Sequence, residues 1–113
     1  MSDRMRKINS SVHHVIAQEV EELKDPRLGF VTITGVDTAP NLRTARVYYS
    51  VLGSAEQQAA TQAGLASAAP RLSRAIGRSI RMKYTPTLTF EVDAAIEYGA
   101  RISQRLRELD EEE

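Results

Sequence analysis

At 113 residues the chain has room for one ordinary domain and not for two cores. Its 42% hydrophobic and 27% charged residues, with six glycines and four prolines, exclude a collagen-like or disordered composition, and the lack of cysteine excludes disulfides, thiol nucleophiles and thiolate-bound zinc or iron–sulfur clusters. Fifteen Lys and Arg balance fifteen Asp and Glu, so any attraction to nucleic acid has to come from uneven placement of charge, not from net charge.

The start, Met-Ser-Asp-Arg-Met-Arg-Lys, carries no apolar signal core, and no run approaches the ~20 apolar residues of a membrane span. A cytoplasmic protein without a membrane anchor is expected. Ser2 to Lys24 reads as an amphipathic helix, because Met5, Ile8, Val12, Val15, Ile16, Val20 and Leu23 recur at helical spacings. Pro26 stops it, and Asp25-Pro26-Arg27-Leu28-Gly29 is turn chemistry. Phe30 to Ala39 is a strand rich in Val, Ile and Thr whose alternation slips around Gly35, as a β-bulge requires. After the Pro40-Asn41 turn, Thr44 to Val51 alternates cleanly, with Ala45, Val47, Tyr49 and Val51 on one face and Arg46, Tyr48 and Ser50 on the other. The short link between the strands predicts an antiparallel hairpin.

Ala55 to Ala69 holds seven alanines in fifteen residues and one large apolar side chain, Leu65, which predicts a helix that buries little. Pro70 breaks the hydrogen-bond ladder, so a second helix is expected to begin there, kinked from the first, and to run to about Met82. Leu88, Phe90 and Val92 alternate with Thr87, Thr89, Glu91 and Asp93 as a third strand, and Asp93 is placed to cap a final helix. Ala94 to Leu109 is helical, with Ile96, Ile102, Leu106 and Leu109 apolar and Gly99 a candidate for delaying its start. The predicted class is α+β in the order αββααβ plus a C-terminal helix, with a three-stranded sheet and the helices on one face. Residues 1–109 form the expected domain, and the acidic end 110–113 a solvated terminus.

Charge is concentrated in one place. Between Ala66 and Thr85 stand five basic residues, Arg71, Arg74, Arg78, Arg81 and Lys83, and no acidic one. At about 100° per residue the four arginines fall within roughly an 80° arc, with Leu72, Ile76 and Ile80 on the adjoining arc. Like charges three and four apart repel by a few tenths of a kcal/mol per pair on an isolated helix, and a negatively charged partner relieves them. Arginine forks onto phosphate oxygens where lysine supplies a point charge, so a phosphate-bearing partner fits best. Arg46 is a secondary candidate; Arg4, Arg6, Lys7 and Arg43 are scattered cations that extend the surface if the fold gathers them. No Walker loop, His-Glu-x-x-His or Gly-x-Ser-x-Gly occurs, and His13 and His14 point about 100° apart on a helix, so neither an enzyme nor a cofactor or metal is expected.

The element order with its helix–kink–helix pair resembles a type II KH domain, in which a Gly-x-x-Gly loop clamps backbone nucleotides. No two of the six glycines lie three apart, so that clamp is absent. Four segments together resemble the bacterial ribosome-binding factor A family: Lys24-Asp25-Pro26-Arg27-Leu28-Gly29; Ala45-Arg46-Val47-Tyr48; Arg71 to Lys83; and Pro86-Thr87-Leu88-Thr89-Phe90 through Asp93, Ile96-Glu97, Gly99 and Arg101-Ile102. The family replaces the glycine loop by a kink at Ala-x-Gly, which falls here on Ala68-Ala69-Pro70, with proline in place of glycine. Thr87 replaces the common glutamate of the family's Pro-Glu-Leu motif. The resemblance implies a non-enzymatic, monomeric factor that binds the free 30S subunit and its 16S rRNA, supports late maturation including 5′-end processing, and is released by a ribosome-associated GTPase. A general single-stranded RNA-binding module and a module docking an acidic protein surface are the alternatives.

Overall fold

The computed structural model describes residues 2–111, the side chains of residues 97–101, 110 and 111 excepted. Ser2 opens α1 (Asp3–Glu22), its hydroxyl accepting the Met5 N–H at 3.2 Å in place of a bond the helix start lacks. The four-residue spacing of Val12, Ile16 and Val20 turns one stripe of α1 into the core. Asn9, beside that stripe, accepts the Thr38 N–H at 2.8 Å, and the His13 Nε2–H donates to the Ile33 carbonyl at 2.9 Å. That histidine therefore ties α1 to the next element.

The link after α1 is closed by its own chemistry. The Asp25 carboxylate accepts the Arg27 N–H at 2.9 Å and pairs with the Arg27 guanidinium at 2.7 Å, which holds the carboxyl below its ordinary value. Thr61, fully buried, accepts the Gly29 N–H at 3.1 Å and donates to the Arg27 carbonyl at 3.3 Å, pinning this turn to a helix some thirty residues further along the chain. Gly64 lets the same helix approach closely: a Cβ there would lie 2.9 Å from Leu28 Cδ2.

Strands β1 (Val31–Thr38) and β2 (Thr44–Val51) pair antiparallel from Val31 opposite Val51 to Thr38 opposite Ala45, and the register slips between Ile33 and Gly35, where the sequence places a bulge. β3 (Thr87–Val92) pairs parallel to β2, from Thr44 beside Thr87 to Tyr49 beside Val92, giving the sheet order β1-β2-β3. One face of the sheet, with Ile33, Val47, Tyr49 and Phe90, packs in a single core with Val12 and Ile16 of α1. Leu65, Leu72 and Ile76, all 0% exposed, bring the crossover helix into that core. Each such burial contributes about 1.5–3 kcal/mol. The α+β class and the three-stranded sheet are those expected.

The helical crossover differs from expectation. Instead of two helices meeting at Pro70, residues on both sides belong to one element, α2 (Ala55–Ser79), so the order is αββαβα. A capping box starts it, Ser54 accepting the Gln57 N–H while the Gln57 side chain accepts the Ser54 N–H. Pro70 removes one N–H and frees the Ala66 carbonyl, but Ala66 and Pro70 are both exposed, so that carbonyl is open to solvent and its loss of a partner costs little. Burial of Leu65 before the proline and of Leu72 and Ile76 after it holds both halves against the same sheet. The helix also ends earlier than expected: Ile80 is extended, its N–H donating to the Ile76 carbonyl at 2.9 Å. Residues 80–86 return to the sheet, tethered where the Ser73 hydroxyl donates to the Pro86 carbonyl at 2.6 Å.

Asp93 caps α3 (Ala94–Glu111) as predicted, accepting the Ala95 and Ile96 N–H groups at 3.1 and 3.4 Å. Gly99 therefore does not delay the helix. The Thr34 hydroxyl donates to the same carboxylate at 2.6 Å, and this bond, with those from Ile96 and Ala95, holds Asp93 below its ordinary value. α3 leaves Ile96, Ile102, Leu106 and Leu109 between 45% and 58% exposed. Glu112 and Glu113 of the acidic end lie outside the described residues, as do the side chains of Asp110 and Glu111. Among the described residues no helix is long and apolar enough to cross a membrane.

Candidate nucleic-acid interface

The pattern that buries Leu72, Ala75 and Ile76 forces Arg71, Arg74 and Arg78 outward. Over about 10 Å of helix rise they present three guanidinium groups, and among the described residues none is in an ion pair. Because α2 stops at Ser79, Arg81 and Lys83 are not on its face; they stand exposed on the connection to β3. The predicted four-arginine helical stripe is thus three arginines on a helix continued by two cations on the returning segment. Arg71 also lines a shallow groove of about 330 Å³ with Lys24, Asp25, Gly64 and Ala68. Ala68 and Ala69 are half-buried and Pro70 exposed, so the residues expected at a kink flank this basic edge.

Arg46 is placed differently. It lies on the face of β2 opposite to Ala45, Val47 and Tyr49, and hence across the sheet from α2. There its guanidinium is raised above its ordinary value, first by a hydrogen bond with Tyr48 and then by Glu91, whose carboxylate lies 3.9 Å away. Arg46 does not join the α2 cations.

A second basic patch is gathered by the fold. The β1–β2 turn places Leu42 in the left-handed region, φ 65°, at a cost of about 1–2 kcal/mol for a residue with a Cβ. Burial of its side chain and the Leu42 N–H bond to the Ala39 carbonyl at 2.8 Å hold it there. Arg43 comes next, its N–H donating to Asn41 Oδ1 at 3.0 Å and its carbonyl accepting the Thr87 N–H at 2.9 Å. Its guanidinium carbon sits 4.2 Å from the centre of the Tyr84 ring, and Lys83 Nζ lies 5.5 Å from the same ring. Tyr84 is not among the candidates that sequence alone supplies; the adjacent Lys83-Tyr84 pair, a cation next to an exposed aromatic in a basic run, is the signal that marks it.

Such an arrangement sets exposed positive charge beside an aromatic face, which attracts anions. No cluster of three acids and histidines able to hold a metal exists among the described residues. A family model described as Ribosome-binding factor A matches residues 4–106. The chain belongs to the ribosome-binding factor A family. It is 43% identical over 113 residues to the ribosome-binding factor A of Geobacter sulfurreducens, covering 99% of this chain and 96% of that one. The crystal structure of the family member from Thermus thermophilus superposes with a TM-score of 0.70 at 26% identity, over 78% of this chain and 94% of the other. A homology model of the Thermus thermophilus factor, fitted into the cryo-electron-microscopy map of a complex between 30S and ribosome-binding factor A, matches with a TM-score of 0.62 at 28% identity, over 76% of this chain and 91% of that one.

Proposed function

We propose that this family member is a non-enzymatic assembly factor that acts as a monomer in the cytoplasm, binding the immature 30S subunit through 16S rRNA and supporting late maturation, including processing of the RNA's 5′ end. The observation that carries the reading is the cationic run of Arg71, Arg74, Arg78, Arg81 and Lys83, without an ion pair among the described residues, on a chain whose relatives are named for ribosome binding. Three exposed guanidinium groups along a helix suit a phosphate backbone, and such arginines need no internal ion pair broken before they bind. Residues 1–109 serve as the RNA-binding domain, Arg46 is a secondary contact separate from the α2 arginines, on the other face of the sheet, and a ribosome-associated GTPase completes the cycle by releasing the factor.

The test is sedimentation. In a sucrose gradient the wild-type chain is expected with free 30S particles and not with 70S, and Arg74→Glu with Arg78→Glu is expected at the top of the gradient with its circular dichroism unchanged. Normal co-sedimentation of the double variant would show that α2 is not the binding face. Each phosphate contact removed flattens the dependence of binding on salt by about 0.7–0.9 log units per log unit of salt. A strain lacking the factor is expected to accumulate 16S rRNA with unprocessed 5′ ends, read by primer extension.

A further inference from the structure

We propose that the groove between the start of α1, the β1–β2 turn and the connection from α2 to β3 grips an RNA backbone phosphate, as a second contact separate from the α2 arginines; this rests on the rRNA-binding reading above. The groove measures about 570 Å³, within the range of ligand sites, and Arg4, Arg43, Lys83 and Tyr84 line it over an apolar floor that includes Ile8 and Leu42. Three segments far apart in the chain each deliver a cation there. Among the described residues no Asp or Glu lines it; the nearest acid in the sequence, Asp3, pairs with Arg6 at 3.8 Å.

The geometry favours a phosphate over a carboxylate-bearing peptide. The Tyr84 ring, 4.2 Å from the Arg43 guanidinium carbon, restricts where that side chain lies, and among the described residues the guanidinium has no carboxylate partner, so its N–H donors are available to phosphate oxygens. Lys83 adds a point charge 5.5 Å from the centre of the same ring, in the same groove. The backbone strain at Leu42 fits this reading: an unfavourable conformation is kept where it aims the next residue, Arg43, whose N–H and carbonyl are both clamped. Lys83 also ends the basic run beyond α2, so an RNA strand tracking Arg74, Arg78 and Arg81 is carried to the groove with like charge all the way.

Binding of the full chain to purified 30S subunits across a salt series tests this, together with zero-length ultraviolet cross-linking. Arg4→Ala with Arg43→Ala is expected to flatten the salt slope by about 0.7–0.9 log units per log unit, the amount for one phosphate contact. A nucleotide adduct is expected on the peptide bearing Tyr84. Tyr84→Leu, which keeps every charge, should weaken binding severalfold by releasing Arg43, and circular dichroism melting checks that each variant is folded. Should the Arg43 variants fail to fold, Arg4→Ala and the cross-link decide the matter. An unchanged salt slope, or a cross-link to a ribosomal protein and not to rRNA, overturns the groove. If the wild-type chain itself fails to bind 30S subunits, the functional reading falls with it; if it binds and only the Arg74→Glu, Arg78→Glu variant is impaired, the groove alone is wrong.

Discussion

α2 and α3 are both amphipathic, yet one is buried along its apolar stripe and the other is not. Leu65, Leu72 and Ile76 of α2 are 0% exposed, whereas Ile96, Ile102, Leu106 and Leu109 of α3 keep 45–58% of their surface. Helical periodicity establishes that a helix has an apolar face; whether that face is covered depends on where the topology delivers it. α2 connects two parallel neighbours and must cross the sheet, while α3 leaves the end of an edge strand with no such obligation. The polar faces differ as well: the outward side of the packed helix is held rigidly, which suits it to present cations in fixed register.

The largest effects come from breaking that packing. Leu72→Ala is expected to cost about 2–5 kcal/mol in urea unfolding, because a 0%-exposed side chain leaves a cavity. Leu106→Ala, the same change on α3, should stay within about 0.5 kcal/mol, the range of exposed substitutions. Equal losses at the two sites would show that α3 is covered in solution. Next comes Pro70→Ala, which restores the missing N–H inside α2 and should stabilise by about 1–3 kcal/mol given the helix propensity difference. A stabilised variant with weakened 30S binding would assign the proline to function.

The smallest expected effect concerns the start of α3 and pH. The Asp93 carboxyl lies below its ordinary value of 3.8 because the Thr34 hydroxyl and the Ile96 and Ala95 N–H groups favour its charged form. Its contribution is therefore fully present above the unfolded-state value and is lost as pH falls through the lower folded-state value. The helical signal should decline on acidification below about pH 4, and Asp93→Asn should remove that portion of the acid dependence while retaining an N-cap.

The three strands and the β1–β2 hairpin were legible because local patterns report local geometry, whereas the parallel place of β3 beside β2 was not. Thr44 to Val51 alternates residue by residue, and the slip at Gly35 announces a bulge that is present in the pairing. Asp93 reads as a cap because its side chain acts only two and three residues away. The features that escaped depend on distance. Pro70 looks like a boundary until both sides of it are seen buried in one core. Arg46 looks like a partner for the arginines of α2 until the sheet is seen to stand between them. Arg4, Arg43 and Tyr84 are scattered in the chain, and only the folded turn at Leu42 and the tethered return to β3 bring them to one groove.

The parallel pairing of β3 beside β2 bears on how the polypeptide emerges during synthesis. Residues 3–51 can form α1 and the hairpin from contacts close in sequence, but a parallel neighbour waits for a long crossover, so one edge of β2 stays unpaired until residues 87–92 arrive. Throughout that interval the central strand, carrying Val47 and Tyr49, is a template for strand addition from another nascent chain. The alanine-rich first half of α2, quick to form for want of side-chain entropy to lose, shortens the exposure.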